Sequence, residues 1–117
     1  AEALLLGNCL HLSLRRNPLG DRGGVAIGAA LCAGATPRLQ KCGLACTQLA
    51  DNAARALAAA LTVCPNLSKL DLSVNNIGVA GGTALAHALE GSPVARKLKE
   101  LKLAKNPNLS ADAALVG

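Results

Sequence analysis

Apolar residues return along this chain at fixed distances from two asparagines. Leu14, Leu12 and Cys9 lie three, five and eight residues before Asn17, and Leu19, Gly20, Gly23, Ile27 and Leu31 lie two, three, six, ten and fourteen after it. Around Asn75, Leu72, Leu70 and Leu67 take the same three preceding offsets, and Ile77, Gly78, Gly81, Leu85 and Leu89 take the same five following ones. Two weaker copies complete the series. One runs Leu39, Cys42, Leu44, Thr47, Leu49, Leu57 and Leu61; the other runs Leu98, Leu101, Leu103 and Asn106, then slips by one residue so that Leu109 takes the next apolar slot. The first apolar positions, 9, 39, 67 and 98, are spaced by 30, 28 and 31 residues. A self-similar period of that length marks a stacked repeat, in which each unit buries its apolar face on its neighbours.

The pattern inside one repeat dictates its elements. Alternating residues such as Leu70 and Leu72 put their side chains on one face of a short strand and leave the residues between them facing out. The asparagine follows where the chain turns inward, and its amide can bond backbone groups that the turn leaves unpaired. Gly20 and Gly78 then suit a turn conformation that a Cβ disfavours. A helix comes next, with apolar residues at i and i+4 such as Leu57 and Leu61 or Leu85 and Leu89. Pro37, Pro65 and Pro93 fall where that helix must stop. The spacing predicts parallel strands near 11–14, 41–44, 69–72 and 100–103, and helices near 22–33, 50–63 and 79–90. The second repeat departs from the rest, with Thr47 in the asparagine slot and Ala50 and Ala53 in the glycine slots. Its turn is expected either to be less regular or to satisfy one backbone group where asparagine satisfies two. Residues 1–8 read as the end of a preceding helix, and the repeat that begins near 98 reads as incomplete. The whole chain, 1–117, is thus expected to be a segment of a longer solenoid.

This pattern resembles the leucine-rich-repeat family, and the period resembles its ribonuclease-inhibitor-like subclass. The resemblance is carried by Cys9 through Gly20 and Leu67 through Gly78 and covers nearly the whole chain. It implies an α/β horseshoe with parallel strands on the concave face and helices on the convex face. It also implies a non-enzymatic protein-interaction module, a scaffold segment of a larger complex, with cytoskeletal or axonemal assemblies in the cytoplasm or cilium as one home. Related repeats in ribonuclease inhibitors and a GTPase activator make an enzyme regulator the first alternative. Those in nucleotide-binding immune receptors make a sensor region the second.

Charge turns this general expectation into a site. The net charge of +5 comes from 12 basic and 7 acidic residues. Strand and post-strand positions hold Arg15, Arg16, Lys41, Lys69, Lys99, Lys102 and Lys105 against only Asp71 and Glu100; the rest of the chain is balanced, five against five. A basic concave face steers acidic proteins toward it, although lysines on water-facing strands also serve solubility alone. The candidate partner-binding residues are His11, Ser13, Arg15, Arg16, Lys41, Lys69, Asp71, Ser73, Lys102 and Lys105. Aromatic content is 0%, so nothing is available to stack on bases, and nucleic acid is disfavoured as a partner.

No catalytic, metal or cofactor site is expected. His11 and His87 fall in different repeats and on different sides of the coil. Cys9 and Cys42 fill core leucine slots, Cys46 sits in a turn, and Cys32 and Cys64 lie at helix ends, so they read as small reduced hydrophobes rather than zinc ligands. The clusters around Gly23-Gly24 and Gly81-Gly82 lack the lysine that a phosphate loop needs. No apolar run reaches the length of a membrane span.

Overall fold

The computed structural model describes residues 9–34 and 37–109. In chain order these form β1 (His11–Ser13), α1 (Gly20–Cys32), β2 (Lys41–Gly43), α2 (Asp51–Leu61), β3 (Lys69–Asp71), α3 (Val79–Gly91), a 3₁₀ turn (Ala95–Lys97) and β4 (Glu100–Lys102). The strands build one parallel sheet in the order β1-β2-β3-β4. This is the stacked strand-and-helix repeat that the spacing predicts, and the solenoid that the leucine-rich-repeat resemblance implies. The strands are one residue shorter than expected, α1 starts two residues earlier, and the 3₁₀ turn was not foreseen. The expectation that residues 1–8 end a preceding helix lies outside the described residues.

Register explains the repeat spacing. Leu12, Cys42, Leu70 and Leu101 stand side by side in successive strands, pointing into the core. Leu44 and Leu72, two residues further along their coils, are fully buried. Thin aliphatic layers of this kind, each of one or two leucines per coil, close without aromatic bulk. The parallel ladder also runs on past the strands: Leu14 N donates to Gly43 O, Leu44 N to Asp71 O and Leu72 N to Lys102 O, at 2.8–2.9 Å. Coil spacing is therefore fixed through the turn as well as the strand.

The glycines serve the fold differently from the turn role expected of them. Gly20 does need its freedom, with φ +70°. Gly78 does not: its φ is −106°, a value any residue adopts. Its role is room, since a Cβ there would come within 3.3 Å of Asp51 Oδ2. The other glycines of both clusters lie in helices. A Cβ on Gly24 would stand 2.5 Å from Ala53 Cβ, and one on Gly28 would stand 2.6 Å from Ala56 Cβ and 2.8 Å from its carbonyl carbon. Gly81 meets Ala54 in the same way, at 2.8 Å. The helix side is thus closed by small residues in close contact.

Candidate functional site

The outward positions of the four strands make two rows. His11, Lys41, Lys69 and Glu100 are in register across the sheet, and so are Ser13, Gly43, Asp71 and Lys102. Lys41, Lys69, Glu100 and Lys102 are exposed. Together with Gly43 and Asp71 they line a shallow depression of about 210 Å³. Gly43 supplies no side chain between Ser13 and Asp71, so the floor is open there. Asp71 is pinned, its Oδ1 accepting the Ser73 N–H at 3.0 Å. The strand face proper carries three lysines against two carboxylates, a milder bias than the whole strand side suggests.

The stronger bias lies in the turn beyond the strands. Arg15, Arg16 and Lys105 sit there, with no acidic residue at the matching positions. Arg16 N donates to Ala45 O, Cys46 N to Ser73 O and Val74 N to Ala104 O, at 2.8–3.1 Å. Those bonds set Arg16, Cys46, Val74 and Lys105 side by side in successive coils. All four have left-handed backbones, with φ of 65°, 57°, 54° and 60°. For a β-branched residue such as Val74 that region is strained. The sequence reading missed this row, although each member stands one residue before the repeat's Asn or Thr.

Beneath the row runs the polar ladder that the asparagine spacing anticipated. Asn75 is buried. Its Oδ1 accepts the N–H groups of Thr47 and Leu49, both at 3.0 Å, and its Nδ2 donates to Leu44 O, Leu72 O and Ser73 O. Asn106 repeats the arrangement one coil on, accepting from Ile77 N and donating to Leu72 O and Leu103 O. Thr47 does a smaller part of this. Its hydroxyl donates to Leu44 O at 2.7 Å, while its coil leans on coil 1 through the backbone bond from Gly20 N to Thr47 O. The turn stays regular, and the threonine satisfies one backbone group, the second of the two outcomes expected.

Two aspartates do work that sequence reasoning did not assign. Asp21 Oδ1 accepts the N–H groups of Ala50 and Ala53 at 3.0 and 2.7 Å. Asp51 Oδ1 accepts those of Gly78 and Gly81 at 2.7 and 2.9 Å. Each carboxylate caps the helix of the next coil, satisfying donors that α2 and α3 cannot pair internally. The signal was present: both aspartates stand four residues after the repeat's Asn or Thr. Val79 holds that place in the third repeat.

Among the described residues, no group of three or more His, Cys, Asp or Glu side chains could hold a metal ion. His11 and His87 are both exposed, on a strand and a helix. All five cysteines are free. Burial pushes the Cys42 thiol up to about 12, helped by the neighbouring thiols of Cys64 and Cys9. Burial also raises Cys64. Both are held as neutral hydrophobes in the core rather than as reactive thiolates. Among the described residues, no helix is long and apolar enough to cross a membrane.

Comparison with known proteins agrees with this geometry. The family described as Leucine Rich repeat matches residues 9–28 and 63–86. The mouse (Mus musculus) NACHT, LRR and PYD domains-containing protein 12 is 41% identical over 86 residues, covering 71% of this chain and 8% of that protein. The chain thus corresponds to a small part of that relative's length. A solved structure titled Leiomodin-1 Actin-Binding Site 2 superposes with a TM-score of 0.84 at 19% identity, over 98% of this chain and 66% of the other. The chain belongs to the leucine-rich-repeat family. The superposition at 19% identity bears on the fold, a leucine-rich-repeat solenoid with one parallel sheet.

Proposed function

We propose that the strand face and the basic turn beside it bind an acidic protein surface, as a non-enzymatic interaction segment of a larger protein. The observation that carries this reading is the alignment of Lys41 and Lys69 in adjacent strands, with Lys102 in the neighbouring row. All three are exposed on a face that the fold leaves open. Arg15, Arg16 and Lys105 extend the positive field at the turn, and His11, Ser13, Asp71 and Ser73 supply polar contacts between the charges. Such a field raises the association rate of an acidic partner and fades as salt screens it.

Two settings for this binding have specific support. The 41% identity to a NACHT-, LRR- and PYD-containing protein favours a sensor or regulatory segment within a multidomain receptor. The shape shared with an actin-binding site of leiomodin-1 favours a cytoskeletal partner, but on fold alone. The first is the better supported because it rests on sequence. The ribonuclease-inhibitor-like subclass, with its enzyme regulators, keeps the support of the 28-to-31 residue period. The ciliary or axonemal setting has no counterpart in the two proteins just named. The test is capture of partners by the full-length parent from native extract, followed by crosslinking. Crosslinks from Lys41, Lys69 and Lys102 to one acidic protein are expected. Crosslinks only from Lys97 and other helix-side positions would assign binding to the convex side and sink the strand-face reading.

A further inference from the structure

Beside the strand face, and separate from it, the turns enclose a groove of about 650 Å³ lined by Arg16, Pro18, Cys46, Gln48, Val74, Asn75 and Asn76. Its middle is apolar and open to solvent. Val74 is 45% exposed, and Cys46 and Pro18 are exposed as well. Arg16 is the one charged residue of its lining, which holds no carboxylate; Lys105 stands outside the lining, at the far end of the same row, one coil beyond Val74. Along the second edge lie the exposed carboxamides of Gln48 and Asn76, the latter with its Oδ1 accepting from Asn108 Nδ2 at 2.7 Å and its Nδ2 available to donate. An apolar strip between two cations, edged by amides, complements an extended peptide rather than a broad folded surface.

We propose that this groove takes an extended acidic segment of a partner protein, crossing the coils with one apolar side chain over Cys46 and Val74 and carboxylates toward Arg16 and Lys105. The dimensions set the sequence of that segment. Coils in a parallel sheet lie about 4.8 Å apart, so the three steps from Arg16 to Lys105 span roughly 14 Å. An extended chain rises about 3.3 Å per residue, so carboxylates four residues apart span roughly 13 Å. Alternation then puts both acids and the residue midway between them on one face. The pattern is acid, any, apolar, any, acid. The left-handed backbone at Val74 keeps its methyl groups in the groove at some cost in strain. That gives the position a readable signature, because glycine fits the backbone and removes the contact.

The experiment uses a capped fluorescein-labelled peptide, Glu-Thr-Leu-Thr-Glu, titrated into the full chain and followed by fluorescence anisotropy, with circular dichroism to confirm folding. Saturable binding is expected, weakened roughly tenfold by Arg16→Glu or Lys105→Glu. Val74→Gly should stay folded and lose a similar factor, whereas Lys41→Glu and Lys69→Glu should leave the peptide affinity nearly unchanged. That last pair separates this groove from the strand-face reading, which can fail independently. Equal binding of the Lys-Thr-Leu-Thr-Lys peptide would overturn the proposal, and so would peptide affinity indifferent to Arg16→Glu and Val74→Gly. A dimer that these two variants convert to monomer would assign the groove to a second copy of the chain and equally overturn it.

Discussion

The turn side and the helix side of this solenoid stack their coils by opposite means. On the turn side, coils 2 and 3 are joined by a buried side chain: Asn75 bridges the backbone of both through two accepted and three donated hydrogen bonds. On the helix side, coils 1 and 2 are joined by missing side chains, since Gly24 and Gly28 let α1 settle on Ala53 and Ala56 of α2. A polar bridge fixes geometry because its partners are costly to leave unpaired. A glycine contact fixes it by exclusion, because no other residue fits. The difference has a functional consequence. The helices meet through their small residues, whereas the turn ladder is buried and the strand-face lysines above it stay exposed, which is the surface the proposed binding uses.

The largest expected effect comes from the ladder. Asn75→Leu keeps the volume but strands the N–H groups of Thr47 and Leu49 in a buried site, while the Leu44 carbonyl keeps the Thr47 hydroxyl. At about 1–3 kcal/mol per orphaned group, the loss is expected to reach about 4 kcal/mol, read from the urea midpoint. Gly28→Val should follow at about 3 kcal/mol, because its Cβ meets backbone atoms of Ala56 that cannot yield. If Gly28→Val proves neutral, the helix side is not closed as described.

Two smaller effects sharpen the comparison. Asp51→Ala removes the acceptor for Gly78 N and Gly81 N and should cost about 1–2 kcal/mol, measured by thermal or urea unfolding. Thr47→Asn should change stability by less than about 0.5 kcal/mol, because the coil-1 N–H groups a carboxamide oxygen would reach, those of Asn17 and Leu19, already donate to Leu14 O and Asn17 O. Cys42 reports on the core beneath both sides. Its folded pKa is raised from 9.0 to about 12, so the folded state holds the thiol proton more tightly than the unfolded chain does. Stability from this group is complete below pH 9 and is lost as pH rises from about 9 toward 12. Cys42→Val should flatten that alkaline decline in a pH series of unfolding curves.

Much of this was legible in the sequence because a repeat fixes register. Residues at equal offsets from Asn17, Thr47, Asn75 and Asn106 end up side by side, so the strands, the core row and the lysine alignment could be read from counting. The interactions between coils were less legible. The capping by Asp21 and Asp51 acts across about thirty residues, on donors that belong to the next helix, and only two of the repeats carry it. The left-handed row of Arg16, Cys46, Val74 and Lys105 shares a backbone conformation but no residue type, so composition hid it. Gly78 was misassigned because glycine serves both positive φ and close approach, and spacing alone does not separate the two.

The strand face is tested most directly by stopped-flow association of the captured partner with wild-type chain and with the Lys41→Glu, Lys69→Glu double variant, across a range of ionic strength. Strand-face binding requires the double variant to associate at least about tenfold more slowly at low salt, with a flatter salt dependence. Equal rates and equal salt slopes for the two proteins would contradict it and move the contact to another face of the solenoid.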